Sequence, residues 1–426
     1  MAGDIGRPIG TCKGDALMIG KISAKYAVRS LWRNPRRTIL SMFGVGIGVA
    51  IGLIATSWIR GGAEMQIRAV SESGAGHLRI VPKGWSAQRE NTLRLPNLQE
   101  IEGLVRSLPT VEIAAPHARV NGLLAFGNRS TGVEIVGVKP DIEQRANRIV
   151  FKSKIVGRYL KPDDQGKVVI GRTIAERLRV EVDDDLYVTL SGADGVRSAM
   201  LGIVGVLSTG VRDLDAGICH VTLETLEEIS GYAGGGEISI LLDDYRRITE
   251  TRRELAQRLG DVEVLTWKEV NPGIAANVDG DRGFMRVLVA IIIIVVGLGI
   301  VSAQLTTVME RRREIAVLTA LGMKARQVIG LVVTEALTVA LGGSAIALAI
   351  GGCVAYLLAT KGVDLRALMG EEFSLGDVLL DPYIYGDFGS WILAYALTIS
   401  VAATVTASLY PAWIASRVEP ADALRV

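Results

Sequence analysis

Four apolar stretches in this sequence are each long enough to cross a hydrocarbon core of about 30 Å, which takes roughly 20 helical residues. They run over residues 39–59, 287–309, 328–359 and 391–415. The first two carry no charge, and the third carries one acid, Glu335. The fourth contains Pro411, which is expected to break it near its end. Backbone polar groups in lipid must be satisfied within the segment itself, so the expected architecture is an α-helical membrane protein with four transmembrane helices. A mean hydropathy of +0.34 is in keeping with that class. The first stretch begins nearly forty residues in, is too long for the apolar part of a signal peptide, and lacks a small-residue cleavage pattern after it. It is therefore expected to be a span.

Orientation follows from short flanking segments, where Lys and Arg resist translocation. Lys21, Lys25, Arg29, Arg33, Arg36 and Arg37 precede the first span with no acid after Asp15. The 310–327 loop has Arg311, Arg312, Arg313, Lys324 and Arg326 against Glu310 and Glu314. The 360–390 loop has Lys361 and Arg366 against Asp364, Glu371, Glu372, Asp377, Asp381 and Asp387. Both termini (1–38 and 416–426) and the 310–327 loop are thus expected in the cytoplasm, with 60–286 and 360–390 outside.

The outer segment 60–286 has nearly equal numbers of acidic and basic residues, the balance of a soluble domain. Short β-like runs at 78–81, 133–138, 168–170, 186–190, 237–242 and 262–265 alternate with helical patterns at 173–178 and 248–259. A large α+β extracytoplasmic domain is expected. Cys12, Cys219 and Cys353 fall in three different regions, so neither a disulfide framework nor a cysteine metal cluster is indicated. A formal charge of +2 supplies no basic field for nucleic acid.

A nucleotide-binding loop needs backbone donors, a lysine and a magnesium-ligating hydroxyl in G-x-x-x-x-G-K-[ST]. That pattern is absent from these residues: Gly20-Lys21 and Gly166-Lys167 are followed by Ile22 and Val168. His77, His117 and His220 form no HExxH or close pair, and there is no G-x-S-x-G elbow. No catalytic residue, bound cofactor or metal is expected, and any energy source must come from a partner.

Gly44, Gly48 and Gly52 recur every four residues in the first span and put a small-residue face where another helix can approach closely. This face is expected to line a helix contact, across a dimer. Gly342, Gly343, Gly351 and Gly352 repeat the signal more weakly in the third span. Directly after the second span, Glu310, Arg311, Arg312, Arg313 and Glu314 lead into a short helix with Ile315, Leu318 and Leu321 on one side, ending at Gly322. A charged, compact helix between spans suits docking on a cytoplasmic protein; an anchor on lipid headgroups is the alternative.

Several segments, taken in order and with this topology, resemble the MacB/FtsX-like permeases of ABC transporters over nearly the whole chain. They are Ala27-Val28-Arg29-Ser30-Leu31-Trp32-Arg33-Asn34-Pro35 before span one, 310–316 with Ala320-Leu321-Gly322 after span two, Glu335-Ala336-Leu337 in span three, and 411–425 at the end. The resemblance implies a basic interfacial helix at the N-terminus, a MacB-like periplasmic core for 60–286, and an ATPase-coupling helix at 310–322. Within the outer domain, Gly137-Val138-Lys139-Pro140, then 203–210 with Thr209 and Gly210 continuing to Asp215, and 267–272 are more similar to the lipoprotein-releasing LolC/LolE type. What this implies is a permease subunit in the bacterial inner membrane, working with an ABC ATPase dimer that holds ATP and magnesium. A second permease, a lipid-anchored or hydrophobic cargo such as a lipoprotein, and a periplasmic chaperone or adaptor are the other implied partners. ATP hydrolysis would move the coupling helix, and the spans would carry that motion to the outer domain. An efflux or peptide-export permease, or a regulator of an extracytoplasmic hydrolase, are the competing expectations.

Overall fold

The computed structural model of the protein describes residues 35–88, 93–95, 97–366, 373–375, 378–380 and 383–417. The expected interfacial helix before Pro35, the loop acids Glu371, Glu372, Asp377 and Asp381, and the closing segment after Arg417 lie outside the described residues. Two compact units emerge: a membrane unit containing the chain up to Gly61, Arg282–Gly362 and the part from Tyr385 on, and an outer unit of Gly62–Asp281 with Val363–Ile384.

Along the chain the principal elements are α1 (Pro35–Val70), β1 (Leu78–Pro82), α2 (Leu98–Arg106), β2 (Val111–Phe126), β3 (Arg129–Val138), α3 (Pro140–Ala146) and β4 (Lys154–Gly157). There follow β5 (Lys167–Gly171), α4 (Arg172–Leu178), β6 (Asp185–Gly192), β7 (Gly195–Ser208), α5 (Arg212–Gly217), β8 (Cys219–Thr222), α6 (Leu223–Ser230), β9 (Glu237–Leu242), α7 (Ile248–Arg258) and β10 (Val262–Thr266). The chain closes with α8 (Pro272–Glu310), α9 (Arg312–Ala320), α10 (Ala325–Ala347), α11 (Cys353–Lys361) and α12 (Trp391–Ser416).

In the membrane unit, α1 and α8 outlast the apolar stretches that announce them. At 1.5 Å per residue, 36 residues in α1 make a rod of about 54 Å. It continues past Ile59 through Arg60, Glu64 and Arg68, whose spacing of four suits a polar helix face. Hydropathy marks only the lipid-length part of such a helix, which is why the expected span stopped short.

The small-residue face of the first span lines close helix contacts within the chain. A Cβ on Gly48 would lie 2.3 Å from Val296 Cγ2 of α8, and one on Gly52 would lie 3.3 Å from the Tyr395 hydroxyl of α12. Both glycines therefore pack closely within the chain. Gly44 has nothing within 4 Å. The face one step round also approaches backbone closely: Gly46 against Ile346 and the Gly343 carbonyl, and Gly351 with its Cβ position 2.9 Å from Ala50 Cα. Gly351 sits in a five-residue π-helical turn, Leu348–Gly352, that separates α10 from α11. Such a turn re-aims the helix where Ala50 comes closest.

Along α12, Ala396, Ser400, Thr404, Ser408 and Ala412 are buried at intervals of four. Ser400 Oγ donates to the Ala340 carbonyl of α10 at 2.8 Å, a hydrogen bond between spans. Pro411 does not break the helix, which runs on to Ser416. Pro411 is itself buried among neighbouring helices, and in such packing the loss of one backbone hydrogen bond is tolerated.

In the outer unit a ten-stranded mixed sheet has the order β10-β1-β9-β2-β3-β8-β5-β7-β4, with β6 pairing β2 and β7. Two cores share it. Leu78, Ile80, Ile101, Val105, Ile238, Ile240, Leu255 and Val264 form the first, under α2 and α7. Leu124, Ile135, Val168, Ile170, Ile174, Leu178, Leu186, Leu201, Ile203 and Leu226 form the second, under α4 and α6. The sixteen-residue strand β2 serves both, contributing Ala114 to one and Ala118, Val120 and Leu124 to the other. β6 shows the simplest logic: Leu186, Val188 and Leu190 point in while Tyr187 points out, the alternation of a strand with one wet face.

Ser191 is exposed on β6, whereas Ser416 ends α12. In a background with the native cysteines replaced, a membrane-impermeant maleimide applied outside is expected to label Ser191→Cys and to leave Ser416→Cys untouched until the membrane is opened. The reverse pattern would invert the orientation.

Candidate functional site

The junction between α8 and α10 is where the sequence concentrates its unusual charges. α8 ends at Glu310, Arg311 leaves the helical conformation (φ −97°, ψ 12°), and α9 begins at Arg312. α9 stops by a defined device: Met323 N donates to the Leu318 carbonyl at 3.1 Å, Gly322 N donates to the Thr319 carbonyl at 3.0 Å, and Gly322 takes φ +98°. This is a Schellman ending, and the positive φ is what requires glycine there. α10 then opens with the Lys324 amide donating to Gln327 Oε1 at 2.8 Å.

The apolar residues of α9 do not share one free face. Ile315 is buried in a cluster with Val308, Val328, Val332, Ala412 and Ala415, which holds α9 against its own bundle, and the neighbouring Ala316 is also buried. Leu318 is half-buried. Only Leu321, 80% exposed, remains outward of the three expected contact residues, and it is joined by Val317, which the sequence reading did not single out. The outward stripe is therefore Arg313, Val317 and Leu321 at intervals of four, with Arg312 beside it. A short helix resting on several others offers fewer free positions than a helix in isolation, and this sets the difference.

Charges at the junction are also partly committed inward. Arg311 Nη1 meets Glu335 Oε2 at 3.0 Å, and Arg311 Nε meets Glu314 Oε2 at 3.1 Å. Glu335, the lone acid of the third span, thus has a partner across the helix junction. Nothing in the spacing between positions 311 and 335 could have predicted the pair.

In the outer unit, Thr209, Gly210 and Asp215 come together as a brace. Asp215, 3% exposed, accepts from Thr209 N at 2.8 Å and from Thr209 Oγ1 at 2.7 Å through the same oxygen. Gly210 takes φ +86° between them. These bonds tie the end of β7 to α5, which makes the trio a turn lock.

A second polar cluster joins residues too far apart in the chain for any local pattern to announce it. Glu237 accepts from Arg79 Nη1 at 3.1 Å and Arg119 Nε at 2.9 Å, while Arg119 Nη1 reaches Glu134 at 2.7 Å. Glu143 meets His117 Nε2 and accepts from Asn147 Nδ2, both at 2.7 Å. Burial alone would raise both carboxyls. Arg79 and Arg119 around Glu237, and His117 with its hydrogen bond around Glu143, outweigh burial and bring each down to about 2. For His77 and His220 burial outweighs the nearby carboxylates, Glu72 and Asp244 for the first and Glu143 for the second, and lowers each to about 4.

Comparison with known proteins gives two family matches. The MacB-like periplasmic core domain matches residues 38–258, just over half the chain, and the FtsX-like permease C-terminal domain matches 286–420. Among curated relatives, the lipoprotein-releasing system transmembrane protein LolC of Xylella fastidiosa (strain 9a5c) is 25% identical over 91% of this chain and 93% of its own length. LolC of Neisseria meningitidis serogroup B is 23% identical over 91% and 94%. The macrolide export ATP-binding/permease protein MacB of Hyphomonas neptunium is 27% identical over 84% of this chain, which spans 57% of that relative's length.

Proposed function

This chain belongs to the ABC transporter permeases that join a MacB-like periplasmic core to an FtsX-like membrane part, and we propose that it couples an ABC ATPase on a partner chain to movement of its outer domain on a lipid-anchored cargo. Placement in the inner membrane with a large extracytoplasmic domain follows from the family and from the four apolar helices. The LolC-type reading, with lipoprotein as cargo, draws its support from matches that span nearly the full length of those relatives. In this reading ATP and magnesium are held by the ATPase dimer, and a second permease of the same or a paralogous sequence completes the membrane part. A chaperone or adaptor outside would receive the cargo. The spans carry only Glu335 as an acid, too little for a polar transport path of their own.

The observation that carries the coupling role is the outward stripe of α9. Val317 and Leu321 expose apolar surface on a helix whose other side is fixed to the bundle through Ile315. Apolar side chains placed at this spacing fill a groove on a partner, and basic neighbours orient the approach. Leu321 makes a clean test because its side chain contributes little to the fold. Burying a leucine at an interface is worth about 1.5–3 kcal/mol, so Leu321→Asp is expected to weaken ATPase capture from mild detergent by about tenfold to a hundredfold. Leu318→Asp would disturb the bundle as well and is a poorer probe. Undiminished capture by Leu321→Asp, with the parent chain capturing the ATPase normally, would leave α9 as an anchor on lipid headgroups.

A further inference from the structure

We infer that Arg311 is a positioning residue, the joint through which displacement of α9 reaches α10, with Glu335 as its counterpart. The inference rests on the coupling role proposed above and concerns how that role is executed. Arg311 occupies the only non-helical position between α8 and α9, so its backbone lies at the hinge. Two of its side-chain contacts run in different directions: Nε to Glu314 on α9 at 3.1 Å and Nη1 to Glu335 on α10 at 3.0 Å. One planar guanidinium therefore ties the end of α8, the body of α9 and the start of the third span. A planar fork with several donors can hold two carboxylates at once, whereas an ammonium is a point charge on a flexible stem.

Burial makes the tie selective. The Glu335 side chain is 13% exposed and that of Arg311 21%, so water competes weakly for either. A carboxylate at this depth of an apolar helix is costly without its cation, so separating α9 from α10 is resisted and the two move together. Glu314, 37% exposed, steadies the guanidinium from the solvent side. Ile315 packs α9 onto the bundle through apolar contact, which has no directional bond to α10.

The test uses the full chain with its ATPase in lipid nanodiscs and nitroxides on Ala320→Cys at the end of α9, outside the Arg313–Val317–Leu321 stripe, and on Leu341→Cys of α10, both exposed. Exposed Cys353 is replaced by alanine and Cys12 by serine; Cys219 is fully buried. In the parent, the distance distribution between the labels is expected to be the same without nucleotide and after trapping with ATP and vanadate. In Arg311→Gln and in Glu335→Gln, trapping is expected to shift it, and the double variant should shift it no further than either single. Arg311→Lys, which keeps the charge and loses the fork, should fall between parent and Arg311→Gln. Distances in the single variants that match the parent in both states, with the ATPase still bound, would overturn the joint. So would a broadening already present without nucleotide and unaltered by trapping, since that is a static packing role. Failure of the parent chain to capture the ATPase would instead strike the coupling reading itself.

Discussion

Gly171→Ala is expected to be among the most damaging single-atom additions in the outer unit. Gly171 ends β5 and precedes α4, and a Cβ there would lie 2.0 Å from the Asp215 carbonyl oxygen and 2.8 Å from its carbonyl carbon. These are backbone atoms of α5, so no side-chain rotation relieves the overlap. The segment that must yield carries the Asp215 carboxylate bonded to Thr209, so the turn lock is strained together with the strand end. Overpacking typically costs about 1–3 kcal/mol, and a backbone collision at the first helical turn belongs at or above the top of that range. A domain of this size loses about 2–4 °C per kcal/mol, so calorimetry on the detergent-solubilised chain should place the outer transition roughly 10 °C lower. Gly103→Ala supplies the contrast. It lies inside α2 with nothing within 4 Å of its Cβ position, and it should stabilise by about 0.5–1 kcal/mol. Equal losses in the two variants would mean that the close approach at Gly171 is not the cause.

How much of this was legible beforehand differs between the two units for a physical reason. In lipid, apolar composition and helix length are coupled, so four spans could be read directly from residues such as Ile291–Val296. In the outer unit the six short strands expected at 78–81, 133–138, 168–170, 186–190, 237–242 and 262–265 all lie within observed strands, and both helical patterns have their counterparts in α4 and α7. The two longest strands were not anticipated. β2 contains Pro116 and Gly122, and β7 contains Gly202 and Gly205, residues that ordinarily argue against a strand interior. At Gly205 the reason becomes visible only in three dimensions: a Cβ would lie 2.2 Å from the Arg158 carbonyl.

The candidate coupling site divides along the same line. Charge order and Gly322 were readable because they are local, and the glycine does take the conformation its place implied. The direction in which each apolar residue of α9 faces was not readable, because it depends on Val328 and Ala412 from other helices. For the same reason the glycines of the first span pointed to close packing but not to which helices of the chain would supply it. Gly46, lying between the regularly spaced glycines, faces Gly343, and helical periodicity alone gave it no priority.

Acid is expected to destabilise the outer unit well before Glu143 and Glu237 protonate. Buried His77 and His220 each titrate near 4, against an ordinary value of 6.5. Between those values the unfolded chain binds protons that the folded chain refuses, so stability falls as pH falls through this window. For His77 the structural reason is direct: Nδ1 accepts from the Leu242 amide at 3.0 Å, a bond that a proton on that nitrogen would abolish. Each histidine should cost about 2 kcal/mol between pH 7.5 and pH 5. Glu143 and Glu237, lowered to about 2, act over a separate range. Their stabilisation is complete above about pH 4.5, the usual carboxyl value, and is lost as pH falls through 2. Two acid limbs are therefore expected, with the first belonging to the histidines. Calorimetric transition temperatures of the parent should drop steadily from pH 7 to pH 5, and His77→Gln should flatten that slope even where its absolute stability is lower. A slope unchanged by His77→Gln would show that this ring is not the group taking up the proton.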